Sequence, residues 1–280
     1  MHFAIVATDR TGSSHLTNFL DSQDGVLCNG EVFHSRAVYV NWPKRERSTE
    51  RLSALIELRD RDPAAFTDHV FSRNFGCSHV GLKILKGQND RALDGIIDNS
   101  SILKVVLYRR NVLANYSSKK LASLSKEWHL TRDSVRDDVP GASCKVIFNA
   151  ARFVAFHDEY TGFYRRILTR IGSGQQPFQF VAYEDINEPR LLTGLFLSLG
   201  INWGTGRTPS RYIKQNPADI LSRFANRSDV EQFLRERNLM HWSYECETSL
   251  EPMATEEARQ DEGVHEPPQR PNVNRARVEI

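Results

Sequence analysis

Phe3-Ala4-Ile5-Val6-Ala7-Thr8-Asp9-Arg10-Thr11-Gly12-Ser13-Ser14-His15-Leu16 changes character twice. Residues 3–8 are an apolar run of the length of a buried strand. The run stops at a polar turn containing Gly12. Leu16, Phe19 and Leu20 then recur at helical spacing. Strand, polar loop, helix is the unit from which parallel sheets are assembled. The segment Met1–Ala7 is apolar, but it is short, has no basic lead and enters Asp9-Arg10 at once. It reads as a first strand and not as a signal peptide.

Working outward, three more segments read as strands: His79–Leu85, Ile102–Tyr108 and Phe178–Ala182. Ile102–Tyr108 is apolar enough to be central and covered on both faces. A helix is expected from about Asn111 into the 120s. A longer one spans roughly residues 146–171, where Ile147, Ala151, Val154, Ala155, Phe163, Ile167 and Ile171 keep helical spacing. Another runs through Leu195–Leu199. Strands alternating with helices predict an α/β fold whose parallel sheet carries helices on both faces. Ligands of such sheets bind beyond the carboxyl ends of the strands. That puts Asp9–Ser14, Lys86–Gln88, Arg109–Asn111 and Tyr183–Asp185 on one rim.

The chain has 280 residues, enough for one large domain, and shows no internal repeat. One domain is expected over 1–246. Residues 247–280 hold four prolines, many charges and no aromatic residue, so a disordered tail is expected there. The net charge of +2 gives no general field toward nucleic acid or anionic membrane. Any anion site must come from local charge. No apolar run is long enough to span a bilayer. Cys28, Cys77, Cys144 and Cys246 are scattered without a C-x-x-C pair, which argues against structural zinc and for reduced thiols in a cytoplasmic protein.

The turn Arg10-Thr11-Gly12-Ser13-Ser14 has the parts of an anion cradle. Backbone N–H groups at a helix start are unpaired and the helix dipole favours negative charge there. Gly12 permits close backbone approach, the hydroxyls add donors and Arg10 adds charge. A capped helix with a solvated arginine fits the same string equally well. The string is neither G-x-x-x-x-G-K-[ST] nor G-x-G-x-x-G. After the Ile102–Tyr108 strand comes Arg109-Arg110-Asn111, followed by Ser117-Ser118-Lys119-Lys120. Two arginines and a hydroxyl pair suit a second phosphate; a capped helix with a basic outer face is the alternative.

Taken in order, these motifs resemble the PAPS-dependent sulfotransferase superfamily, where PAPS is 3′-phosphoadenosine 5′-phosphosulfate. They are R-[ST]-G-[ST]-[ST] after the first strand, then Arg and Ser spaced by seven or eight residues after a later one. Asn29-Gly30-Glu31, Gly81-Leu82-Lys83, Glu127-Trp128-His129, Tyr183-Glu184-Asp185 and Lys214-Gln215 add to the likeness. The spacing is similar to the bacterial branch containing the nodulation-factor and trehalose sulfotransferases, over about residues 3–240. The chain departs from the pattern at His15, where many cytosolic relatives have Trp, and at Val112, in place of a common Pro.

The resemblance implies a P-loop-NTPase-like three-layer sandwich with a central, mostly parallel sheet flanked by helices. It implies transfer of a sulfuryl group from PAPS to a hydroxyl of a carbohydrate or glycolipid, with no metal. Arg10, Thr11, Gly12, Ser13 and Ser14 would contact the phosphosulfate; His15 ranks third among candidate bases, its helix-start position suiting a phosphate contact instead. Arg109 with Ser118 would bind the 3′-phosphate, with Arg110 as the rival arginine. Glu31 leads His34 as the base that takes the acceptor proton, and Arg10 offsets charge on the leaving group. A homodimer is compatible with the sequence. Two other functions compete: a nucleotide-dependent, kinase-like phosphotransferase, and a non-catalytic protein that binds the by-product PAP (adenosine 3′,5′-bisphosphate).

Overall fold

The structure is a computed structural model. It describes residues 1–128, 130, 144–174, 176–186, 188, 192–201, 212 and 214–245. The 247–280 tail and His129 lie outside the described residues.

Five parallel strands form one sheet in the order β2-β3-β1-β4-β5. They are β1 (His2–Ala7), β2 (Val26–Glu31), β3 (His79–Leu85), β4 (Ile102–Tyr108) and β5 (Phe178–Ala182). The helices are α1 (Ser13–Asp21), α2 (Thr49–Arg61), α3 (Pro63–Ser72), α4 (Asp90–Asp98), α5 (Val112–Ser125), α6 (Ala150–Ser173), α7 (Thr193–Leu199) and α8 (Arg227–Glu236). The expected three-layer sandwich is present, and its sheet is wholly parallel.

Every residue of Phe3–Ala7 is fully buried, because β1 sits between β3 and β4 with helices above and below. Successive strand residues face opposite layers. Ala4 and Val6 join a core with α3, α4, α5, α6 and α8, while Phe3, Ile5 and Ala7 pack against α1 and α7. Gly81 makes room for Phe3: a Cβ at position 81 would stand 2.2 Å from the Phe3 ring. The ring fills the space that a larger residue on β3 would take.

Register then fixes the rim. Ala7 pairs with Leu85 on one side and Leu107 on the other, and Tyr108 pairs with Ala182. Thr8, Lys86 and Arg109 therefore leave the sheet at nearly one height. β2 is the strand that the sequence reading missed. Asn29-Gly30-Glu31 forms its carboxyl end, with Glu31 in register with Lys83. The strand is short, ends in polar residues and carries an irregularity between Cys28 and Glu31. It therefore offers little of the alternation that marks a strand.

Candidate phosphate-loop site

The turn from β1 into α1 bends twice. Arg10 has φ +63° and Gly12 has φ +78°, both left-handed. For Arg10 this costs about 1–2 kcal/mol, which the surroundings must offset. Thr11 is fully buried and donates from Oγ1 to the Thr8 carbonyl at 2.8 Å, so its hydroxyl closes the turn. Helices α2 to α6 each begin with a Ser, Asp or Asn whose side chain accepts a first-turn N–H. Gly12 at the start of α1 has no such side chain. The N–H groups of that first turn are left for another acceptor, and the helix dipole adds positive potential.

Gly12 also lies against Tyr183. A Cβ at position 12 would be 2.7 Å from Tyr183 Cδ2. The Tyr183 ring also carries the Arg109 guanidinium, 4.1 Å from the ring centroid. The sequence places Tyr183-Glu184-Asp185 on the rim just after β5, where Glu184 could serve the next helix. Instead Glu184 accepts the N–H groups of Arg110 (3.2 Å) and Asn111 (3.3 Å), at the start of α5.

Cationic side chains surround the loop. Arg10 Nε donates to Ser118 Oγ at 3.0 Å, and its two terminal nitrogens donate to the Trp128 carbonyl and Gln215 Oε1. Burial, and next the like charge of Arg109, lower its pKa to about 10; it stays cationic at neutral pH. On the α1 side, buried Lys83 donates to Ser14 Oγ at 3.0 Å and pairs with Glu31 Oε1 at 3.0 Å. Gln88 Nε2 donates to the other Glu31 oxygen at 2.7 Å. Glu31, Lys83, Gln88 and Ser14 thus form one connected group at the mouth of the loop.

The two candidate bases are placed differently. Glu31 belongs to that group. His34 lies beyond the strand, edge-on to Tyr39, and its Nδ1 accepts the Arg36 N–H at 3.2 Å. That bond uses the lone pair that a neutral imidazole would offer as base. Burial holds the His15 pKa below its ordinary value, so the ring is neutral at pH 7.

The structure brings the Ser118 hydroxyl to the Arg10 guanidinium, while the Arg109 guanidinium serves the loop backbone and Glu245. Arg109 is buried, bonds the Arg10 carbonyl (3.1 Å) and pairs with Glu245 at 2.5 Å. Arg110 is half-exposed and makes two bonds to Asp185, at 2.8 and 2.5 Å. Asn216 also donates to Ser118 Oγ, at 3.0 Å. Trp42 is buried against His69 and Phe75. Trp128 is exposed. The reading missed Glu245, Arg223 and Asn216 as site neighbours. Glu245 is 136 residues from Arg109, so no local pattern announces their contact.

A small open cleft adjoins the loop, lined in part by Asp9, Lys86, Asn115, Lys119 and Phe156. Lys119 pairs with Asp9 at 2.9 Å. Among the described residues, no group of three or more His, Cys, Asp or Glu is arranged to hold a metal. Among them also, no helix is long and apolar enough to cross a membrane.

The fold and site together define an α/β protein with an uncapped, arginine-bearing turn between its central strand and first helix. Nodulation protein H of Rhizobium meliloti strain 1021 is 30% identical to the chain over 157 residues, covering 53% of the chain and 60% of that protein. Nodulation protein H of Rhizobium tropici is 31% identical over 157 residues, covering 53% and 59%. The chain thus spans about 60% of the length of these curated relatives. The resemblance to the nodulation-factor branch, read from the motifs, is borne out by these relatives. The crystal structure of a sulfotransferase from Alicyclobacillus acidocaldarius aligns with a TM-score of 0.43 at 18% identity, over 86% of this chain and 98% of that one. No protein-family model matches the chain.

Proposed function

We propose that the protein is a sulfotransferase that moves the sulfuryl group of PAPS to a hydroxyl of a carbohydrate or glycolipid. The observation that carries the reading is the uncapped first turn of α1, flanked by Arg10 on one side and by the Ser14–Lys83–Glu31 group on the other. The N–H groups and Ser13, Ser14 and Arg10 would hold the phosphosulfate. In the reaction the acceptor oxygen bonds to sulfur while the bond between sulfur and the bridging phosphate oxygen breaks. PAP leaves with that electron pair. Glu31 takes the acceptor proton, and Lys83 and Arg10 offset the charge that grows on the leaving phosphate.

For the 3′-phosphate, Arg110 is favoured over Arg109. Arg109 is committed to Glu245, the Arg10 carbonyl and Tyr183. Arg110 is half-exposed, and its surface pair with Asp185 is weak enough to exchange for a phosphate. Ser118 would serve the same group beside Arg10. The cleft at Asp9 and Lys86 suits a hydroxyl-rich acceptor: carboxylate acceptors, ammonium donors and the face of Phe156.

The test is an assay with PAPS labelled in its sulfate, against a panel of sugars, glycolipids and phenols. Labelled ester on a sugar or glycolipid is expected. Its loss in Glu31→Gln with donor binding retained would support the base. Transfer to no member of the panel by protein that binds PAP would instead favour a non-catalytic role.

A further inference from the structure

Glu245 is buried, yet three cations converge on it. Oε1 accepts from Arg109 (2.5 Å) and from Arg223, and Oε2 lies 3.0 Å from Lys214 Nζ. The cations hold its pKa below the ordinary carboxylate value against the opposing effect of burial. It therefore stays ionised at neutral pH, and removing it would leave two buried guanidinium groups unpaired, a costly change. Arg109 in turn does two things at the loop. Its Nη1 donates to the Arg10 carbonyl at 3.1 Å, and its guanidinium carbon lies over the ring of Tyr183, which packs against Gly12. Arg10 and Gly12 are the two left-handed residues of the turn. A strained turn persists only where its surroundings over-determine it. Here a guanidinium bond and an aromatic ring supply that constraint, and Glu245 fixes the guanidinium.

We infer that Glu245 is a positioning residue for the phosphate loop, acting through Arg109 as a brace from the C-terminal side of the domain. The segment bearing Lys214, Gln215 and Asn216 reinforces it by holding Glu245, Arg10 and Ser118. Glu245 touches no reacting atom. It keeps Arg10 and the α1 N–H groups in one orientation before any ligand arrives. This requires only that the loop bends as described; the link to donor binding rests on the function proposed above.

The test uses the full chain as wild type, Glu245→Gln, Glu245→Asp and Arg109→Lys. A lysine at 109 keeps a cation beside Glu245 but has no second planar N–H for the Arg10 carbonyl. The first readout is the rate at which trypsin cuts after Arg10, with the exposed bonds after Lys44 and Arg45 as internal controls. Cleavage after Arg10 is expected to rise about tenfold or more in Glu245→Gln and Arg109→Lys, a response to ~1.4 kcal/mol of local opening. The controls should stay constant, and Glu245→Asp should restore much of the protection. Unchanged cleavage after Arg10 would overturn the inference. So would acceleration at all sites together, which is what loss of general stability gives. If Glu245→Gln does not fold, Arg109→Lys decides by itself. The second readout is PAP affinity, which should fall in step with loop opening. A wild type that protects Arg10 but binds no PAP sinks the donor reading and leaves the brace standing.

Discussion

Lys83 of β3 donates to Ser14 Oγ of α1 across 3.0 Å, joining the sheet to the first turn of the helix behind the phosphate loop. The same ammonium is 3.0 Å from Glu31, so one buried charge ties Ser14 of the loop to Glu31, the proposed base. Replacing Lys83 with Met keeps the stem and removes that charge. Transfer at saturating donor is expected to fall about 10²–10³-fold, the usual cost of losing one electrostatic contact to a developing charge. Lys83→Arg should recover part of it. Initial rates with labelled PAPS check this, alongside thermal unfolding to verify the fold.

Gly12 tolerates no side chain. Its φ of +78° is costly for an L-residue, and a Cβ would stand 2.7 Å from Tyr183. Gly12→Ala is expected to destabilise the protein by about 1–3 kcal/mol and to weaken PAP binding tenfold or more. The double variant with Tyr183→Ala should recover stability by relieving the contact, but not affinity, because the left-handed φ remains. Chemical denaturation and PAP titration separate the two effects.

The two neighbouring arginines should separate cleanly. Arg110→Ala breaks a half-exposed pair with Asp185 and should cost under about 1 kcal/mol of stability. Its effect should appear in PAP affinity, and it should be much smaller for a ligand that lacks the 3′-phosphate. Arg109→Ala strips a buried partner from Glu245 and should cost about 3 kcal/mol or more. Denaturation curves and titrations with adenosine 3′,5′- and 5′-phosphates provide the comparison.

Lys104 gives the fold its own pH dependence, far from the loop. It is fully buried on β4, with Nζ donating to the Asn99 carbonyl and Gln176 Oε1, and burial lowers its pKa to about 8. An unfolded lysine titrates near ~10.4, so between about pH 8 and 10.4 the unfolded chain holds more protons than the folded one. The contribution of Lys104 to stability should therefore rise with pH through that window. Denaturation midpoints from pH 7 to 10, compared with Lys104→Met, should show this rise in wild type and its loss in the variant.

How much of this was legible beforehand follows from where each interaction lies in sequence. The loop, three of the four outer strands and the helices behind them are local patterns, and β3, β4 and β5 fall at the expected residues. The missing strand, β2, ends in Asn-Gly-Glu, where side chains serve the site instead of the core. The helices α2, α3 and α4 were not resolved from sequence; α2 is mostly exposed and polar, so its apolar stripe is thin. At the site, Arg10, Ser14, Glu31 and Lys83 were recognisable by motif order. The partner of Ser118 was not, because a spacing rule relates it to an arginine on its own strand-helix unit. The fold instead sets it against Arg10, 108 residues away. Glu245 was invisible for the same reason: an ordinary carboxylate gains meaning only when three distant cations close around it.

The most direct measurement is a calorimetric titration of the purified protein with PAP, repeated with Arg10→Ala and with ATP–Mg²⁺. The expected result is saturable one-to-one binding of PAP, lost or weakened at least about tenfold in Arg10→Ala, with ATP–Mg²⁺ binding weakly or not at all. Saturable binding of ATP–Mg²⁺ with no heat from PAP would contradict the assignment of the loop to a sulfuryl donor.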